Sequence, residues 1–168
     1  MIAETSRLKI RELRIDDAKF VLALTNEPSF IENISDKGLR SVADTEEFIL
    51  KGPWTYQQPD GYGQFAVELK YSGELVGICG VLVREAFDLT DVGFAFMPGF
   101  WRRGLAFEAA QAVMGYARTT LGVDRISGLT SSENTASIRL LVKLGMQFDK
   151  IIKMSDDDPG TFVYSCPR

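Results

Sequence analysis

The sequence predicts an α+β fold, with one domain over residues 1–168 built on a mixed, mostly antiparallel sheet of about six to seven strands flanked by about four helices. Three observations predict it. From Gly63 to Met97 apolar residues recur with period two between turn residues, the signature of half-buried strands. From Leu105 the spacing becomes helical, with Leu105, Ala109, Ala112, Val113, Tyr116 and Ala117 on one stripe. No linker, repeat or low-complexity tract divides the chain, and 168 residues at 45% apolar content suffice for one sizeable core.

Leu8 to Leu13 alternates apolar and charged residues as a strand does, and Asp16 or Asp17 is placed to cap a helix through Ala18, Val21, Leu22 and Thr25. A polar stretch with Pro28, Asn33 and Gly38 has room for one more helical turn. Ser41, followed by Asp44, Glu46 and Glu47, opens a second helix ending near Gly52-Pro53. Gln64–Leu69 and Glu74–Val83 flank Tyr71-Ser72-Gly73 as a hairpin, and Thr90–Met97 continues the antiparallel run. After the long helix, Asp124–Thr130 reads as a strand parallel to the one before it. A helix from Asn134 closes at Gly145, and strands Phe148–Met154 and Thr161–Cys166 are joined by Ser155-Asp156-Asp157-Asp158-Pro159-Gly160.

Composition removes several classes of function. With no histidine and only two cysteines, the chain lacks the parts for a zinc site or for Ser-His-Asp and Cys-His catalysis. Cys79 and Cys166 sit inside strands and read as reduced core thiols of a cytosolic protein. The 19 basic and 23 acidic residues leave a net charge of −4, which argues against nonspecific nucleic-acid binding. No apolar run approaches the ~18 residues of a membrane span. The opening residues show no signal-peptide pattern, so a cytoplasmic location is expected.

The richest segment runs from Met97 to Ala109: Met97-Pro98-Gly99-Phe100-Trp101-Arg102-Arg103-Gly104-Leu105-Ala106-Phe107-Glu108-Ala109. A strand, a basic glycine turn and a helix in that order make a phosphate site. The first N–H groups of a helix have no internal partner, and the macrodipole is positive there. Gly104 and Ala106 allow close approach to the main chain, while Arg102 and Arg103 add positive charge. One helix and one strand later comes Ser131-Ser132-Glu133-Asn134-Thr135-Ala136-Ser137-Ile138-Arg139-Leu140-Leu141-Val142-Lys143-Leu144-Gly145.

The two segments together resemble the GNAT superfamily of acyl-CoA-dependent N-acyltransferases, the first like its pyrophosphate loop and the second like its Asn-x-x-Ser…Lys-Leu-Gly helix. Trp101, Glu108-Ala109 and the opening Ser6-Arg7-Leu8-Lys9-Ile10-Arg11 are similar to the RimJ/RimL-like branch, the ribosomal-protein N-terminal acetyltransferases. The resemblance implies acetyl-CoA as co-substrate, lying in a V-shaped opening between the strand before the loop and the strand after its helix. Phe94, Phe96 and Met97 would supply backbone groups to the pantetheine arm. The N–H groups of Arg102, Arg103, Gly104, Leu105 and Ala106 would hold the pyrophosphate, and Asn134 and Ser137 would touch the cofactor from their helix. Arg139 and Lys143 share a helical face and either reach the nucleotide phosphates or are simply solvated.

The implied chemistry is direct attack of a primary amine on a thioester. Asp91, at the opening of its strand, is the candidate base or else a solvated strand-end residue. The tyrosine acid usual in the superfamily falls at Leu141, leaving Ser137 as the nearest hydrogen-bond donor to the departing sulfur. Glu108 is read as a first-turn helix charge. The acceptor is a protein N-terminal α-amine or a small-molecule amine, with polyamine or antibiotic modification, or an inactive acyl-CoA-binding module, as alternatives. Its wall is expected among Phe30, Asn33, Trp54, Tyr56, Gln57 and Tyr62, residues that would otherwise cover the core edge. The Asp156-Asp157-Asp158 turn either attracts a cationic substrate or is a solvated hairpin tip. Monomer and homodimer both remain open.

Overall fold

A computed structural model describes residues 1–54 and 61–167. Five helices and eight strands are present among them, against the four and six to seven expected. The strands are β1 (Ala3–Glu4), β2 (Leu8–Glu12), β3 (Gly63–Leu69), β4 (Leu75–Arg84), β5 (Leu89–Phe96), β6 (Ser127–Ser131), β7 (Gln147–Ile152) and β8 (Thr161–Ser165). The helices are α1 (Ala18–Thr25), α2 (Pro28–Asn33), α3 (Val42–Lys51), α4 (Leu105–Thr119) and α5 (Thr135–Lys143). The extra strand, β1, has two residues and is too short to show an alternation. The polar stretch after Pro28 folds into α2, which buries only Phe30.

One sheet carries all the strands in the order β1-β2-β3-β4-β5-β6-β8-β7, antiparallel except between β5 and β6. Alternation in β2 points Leu8 and Ile10 to one side, both fully buried. That side forms the larger core, where Phe65, Val67, Val81, Val92 and Phe96 meet Leu105, Ala109, Val113 and Ala117 of α4. The other face is covered by α1, α2 and α3, with Val21, Leu24, Phe30, Ile49 and Trp54 against Ile78, Ala95 and Met97. The strands at the centre of the sheet are therefore buried on both sides, while Asp91, Gly93 and Ala95 face a different layer from Val92, Phe94 and Phe96.

Local signals account for most boundaries. Ser41 Oγ accepts the Asp44 N–H at 3.1 Å, capping α3 as expected. Gly145 adopts φ +91° and Met146 N–H returns to the Leu141 carbonyl at 3.1 Å, so α5 ends in a left-handed closure. Asp158 ties the last hairpin together, accepting from Met154 N–H, Gly160 N–H and the Thr161 hydroxyl. That turn is an organised, exposed tip and lies at the edge of the sheet.

The start of α1 differs from expectation. Neither Asp16 nor Asp17 caps it with a side chain. Asp17 is instead buried and takes both terminal nitrogens of Arg11, at 2.8 and 2.9 Å, while Arg11 Nε reaches Glu68 at 3.0 Å. A bidentate guanidinium on β2 thus fixes where the chain leaves the sheet.

Leu141 is 1% exposed, and its side chain fills the space where Gly128 of β6 lacks a Cβ. Leu141→Ala should lower stability by about 3 kcal/mol, through lost burial and the cavity left behind. A shifted urea midpoint with unchanged slope would register this.

Candidate functional site: an opening between two diverging strands

The parallel strands β5 and β6 are in ladder register only at Asp91 and Ser127. Beyond that point each follows its other neighbour: β5 stays paired with β4 through Phe96, and β6 with β8 through Ser131. Met97 N–H donates to the Val76 carbonyl at 2.9 Å. By the alternation of an antiparallel ladder, Gly93 and Ala95 also turn their backbone groups to β4, and Phe94 and Phe96 direct theirs toward β6. On the other side, Cys166 N–H bonds to the Ile126 carbonyl, so Gly128 and Thr130 serve β8 while Leu129 and Ser131 face the opening. The result is a V lined by two strand edges with free polar groups.

Two of those groups are already used. The Ser131 carbonyl accepts the Asn134 N–H at 3.2 Å. The Trp101 indole N–H donates to the Phe96 carbonyl at 2.9 Å, closing the wide end of the V. Met97, expected to contribute backbone groups, has both of them engaged within the protein. Its N–H serves Val76 and its carbonyl accepts the Phe100 N–H at 2.9 Å. The donors and acceptors left facing the opening from β5 are the Phe94 N–H and carbonyl and the Phe96 N–H.

The loop after β5 is shaped by two left-handed residues, Arg102 at φ +60° and Gly104 at φ +75°. A non-glycine residue in that region costs about 1–2 kcal/mol, so Arg102 is held there by its surroundings. Gly104 is the N-cap of α4 and has no side chain to offer, so the first N–H groups of the helix stay open. Arg103 lies over the Phe100 ring and Lys143 over the Phe107 ring, at 5.1 and 4.3 Å. Lys143 thus reaches the first turn of α4, although it and Arg139 are both exposed. Open helix N–H groups beside three cations form an anion cradle.

The N-terminal segment holds this cradle in place. Arg7 donates to the Arg103 carbonyl at 2.9 Å and to Glu108 at 2.6 Å. Glu108 also accepts the Arg7 N–H and the hydroxyls of Thr5 and Ser6. Glu108 is therefore more than a first-turn charge: it joins α4 to the β1–β2 turn. Single-sequence patterning missed the pair because its members lie about one hundred residues apart, although both belong to the segments that carry the family resemblance.

On the face toward α1–α3, Asp91 is 3% exposed and accepts from Arg84 Nε at 2.7 Å. It stands inside β5 rather than at its open end, and is no solvated cap. Burial pushes its carboxyl pKa up and the Arg84 guanidinium only partly reverses this. Beside it, Ser127, Ser165 and Asp149 form a hydrogen-bonded chain at the apex of the V.

The last helix contributes less freely. Asn134 Oδ1 caps α5 through the Ser137 N–H at 3.2 Å, so its carbonyl has a structural duty and its amide nitrogen is what remains for a ligand. The Ser137 hydroxyl makes no back-bond to a carbonyl among the described residues. Leu141, one turn on, points into the core. Of the aromatics expected to wall an acceptor, Phe30 and Trp54 pack edge-to-face in the core, and Asn33 bonds to Ser29 on the surface. Tyr62 packs against the larger core, and Tyr56 and Gln57 lie outside the described residues.

Residues 7–147 match the profile of a family described as "Acetyltransferase (GNAT) domain". YoaA of Bacillus subtilis, described as an uncharacterized N-acetyltransferase, is 27% identical over 161 residues, covering 95% of this chain and 90% of that protein. A GNAT-family acetyltransferase from Bacillus anthracis has a TM-score of 0.80 at 25% identity, covering 97% of this chain and 96% of that one. RimL, a ribosomal L7/L12 alpha-N-protein acetyltransferase solved in complex with coenzyme A, has a TM-score of 0.83 at 14% identity, a likeness of fold, over 98% and 96% of the two chains.

The clamp on the loop has a pH signature. Burial raises the Glu108 pKa, but the hydrogen bonds from Thr5 and Arg7 and the Arg7 charge outweigh it, and the net shift is downward. A depressed folded-state pKa contributes stability above the unfolded value and loses it as pH falls through the folded one. Glu108→Gln should therefore cost about 1–3 kcal/mol at neutral pH, with the gap to the unaltered protein narrowing as pH falls below the usual glutamate range. Urea unfolding at neutral and strongly acidic pH measures that gap.

Proposed function

The chain belongs to the acetyltransferase (GNAT) domain family and is an acyltransferase enzyme; we propose that it moves an acetyl group from acetyl-CoA directly to a primary amine, a protein N-terminal α-amine or a small-molecule amine. The observation that carries this reading is the path that runs from the free Phe94 edge of β5, past the Trp101 loop, to the open N-terminus of α4. An extended arm with amides pairs with a free strand edge, and a pyrophosphate is held by unpartnered helix N–H groups. The path fits such a ligand because Gly104 places no side chain in the cradle and only Arg7 Nη2, at 3.4 Å, would approach an added Cβ.

Acetyl-CoA supplies an activated carbonyl with a thiolate leaving group. The amine nitrogen forms the C–N bond to that carbonyl, the C–S bond breaks, and the amine proton ends on the departing sulfur. Each residue has a part in this. The Phe94 N–H, directed into the V, donates to the negative charge developing on the carbonyl oxygen. Asp91, buried at the apex with a raised pKa, takes the proton from the amine, directly or through water. Ser137, with its hydroxyl uncommitted, donates to the sulfur. Leu141 supplies no acid, so the route for the proton runs from amine to sulfur without a tyrosine. Arg102, Arg103 and the N–H groups of Gly104, Leu105 and Ala106 hold the phosphates, and the Asn134 amide nitrogen meets the pantetheine. Orientation along the strand edge supplies much of the remaining acceleration.

The RimJ/RimL-like placement is supported by Trp101 closing the V and by Arg7 and Glu108 meeting across the loop. Among the described residues no helix is long and apolar enough to cross a membrane.

Two measurements test the reading. At 100 times its dissociation constant acetyl-CoA should stabilise the protein by about 2.7 kcal/mol, a rise in Tm of roughly 5–10 °C for this size. ATP should give little shift, and Gly104→Val should abolish the shift by acetyl-CoA. No shift in the unaltered protein would remove the cofactor assignment. Asp91→Asn, with the acetyl-CoA shift retained, should lower turnover by about 10²–10⁴-fold. In the unaltered enzyme activity should rise with pH along an acidic limb lying above the usual aspartate range, and the substitution should erase it. An unchanged pH–rate profile would dismiss Asp91 as base.

A further inference from the structure

The face of β5 that carries Asp91 and Gly93 is ringed by polar groups that the mechanism leaves unused. Gln64 of β3 lies over Gly93, its Nε2 2.7 Å from where a Gly93 Cβ would stand. Its backbone N–H bonds to the Trp54 carbonyl at 3.2 Å. Lys37, from the connection between α2 and α3, places its ammonium 5.8 Å from the centre of the Trp54 ring. From there it feels the Arg84 guanidinium, which is bonded to Asp91. The ring closes through Trp54, Gln64, Gly93, Asp91, Arg84 and Lys37.

Two features of this ring are costly unless something enters it. Lys37 is half-buried, stands near a second cation, and has no carboxylate partner among the described residues. The neighbouring acids are engaged: Asp36 with Arg40 and Asp91 with Arg84. A desolvated ammonium beside another positive group is stabilised by an anion. Gln64 is more than nine-tenths buried, and its Oε1 is the one buried side-chain polar atom without a hydrogen-bond partner among the described residues. A buried carbonyl oxygen in that state lacks a donor. The ring thus offers a cation for an anionic group, at Lys37, and an acceptor for an N–H, at Gln64 Oε1.

The anion is not one of the coenzyme's phosphates. From Asp91 to Phe96 the strand advances about 16 Å, and the phosphate cradle lies beyond Phe96. The ring is at the apex end, where the acceptor amine must sit to reach both the thioester and Asp91.

We propose that the acceptor is an amine bearing a carboxylate, with Lys37 and Arg84 holding the carboxylate and Gln64 Oε1 receiving an amine N–H. This rests on the acetyltransferase reading above and narrows its substrate class. Polycations such as polyamines and aminoglycosides bring positive charge to Lys37 and are disfavoured. The same carboxylate chemistry is carried by a free amino acid and by a peptide with an acidic residue near its N-terminus.

Initial rates of thiol release with acetyl-CoA test this, using amino acids and short peptides with Asp or Glu in second position. Each is paired with its carboxamide counterpart, and spermidine is the cationic control. The carboxylate member of a pair should have kcat/KM about 10-fold or more above its carboxamide, the range of one charge-assisted hydrogen bond. That ratio should fall toward one in Lys37→Met, chiefly through KM, and recover in Lys37→Arg. Whichever series shows the ratio identifies the source of the carboxylate. Equal rates within pairs, a preference for spermidine, or a ratio unmoved by Lys37→Met overturns the proposal. So does a failure to acetylate any carboxylate-bearing amine while acetyl-CoA still raises Tm. Loss of that Tm shift in the unaltered protein marks failure of the acetyltransferase reading itself.

Discussion

The opening at the centre of this molecule depends on two parallel strands that meet once and then part. At Asp91 and Ser127 the sheet is continuous; one residue further, β5 and β6 each keep one paired edge and expose the other. Unpaired strand edges buried in a protein are unfavourable unless a partner supplies the missing hydrogen bonds. The outer strands hold the split open: β5 stays registered with β4 over its length, and β6 with β8. A ligand that behaves as a further strand restores what the divergence removes.

The split also separates two chemistries. Side chains alternate across β5, so one face meets α4 and the other meets α1–α3. Phe94 and Phe96 belong to the apolar layer under α4, and their backbone groups line the opening between β5 and β6. Asp91 and Gly93 belong to the opposite layer, with Arg84, Gln64 and Lys37, where the polar side chains gather. Asp91 is kept out of water by the same packing that raises its pKa, and the Arg84 guanidinium reverses part of that rise. Glycine at 93, rather than any larger residue, leaves room for the Gln64 amide over the strand.

Rigidity at the N-terminus of α4 comes from the far end of the chain. Thr5, Ser6 and Arg7 converge on Glu108, and Arg7 also binds the Arg103 carbonyl. The left-handed conformation of Arg102 persists because the loop is braced on one side by these contacts and on the other by Trp101 reaching back to Phe96. A cradle built from backbone N–H groups has no side chain to adjust, so the loop must be held by its neighbours.

Much of this was legible in the sequence, for reasons that are local. Period two from Gly63 to Met97 and the helical stripe from Leu105 determined the element order, because side-chain direction follows directly from backbone repeat. Ser41 and Gly145 marked helix ends because capping involves residues three or four apart, and the basic glycine turn announced an anion site because strand, loop and helix N-terminus are contiguous. Pairings at long range were not legible. Nothing local distinguishes Asp17 as a helix cap from Asp17 as a partner of Arg11, nor shows that Met97 spends its backbone groups on Val76 and Phe100. Nor does it bring Lys37 beside Arg84 or Glu108 beside Arg7. By itself the sequence determined the fold class, the family resemblance and the place of the basic glycine turn before α4. Only the tertiary structure decided which polar groups remain free to act, since a group's availability depends on what the rest of the chain, packed around it, has already taken.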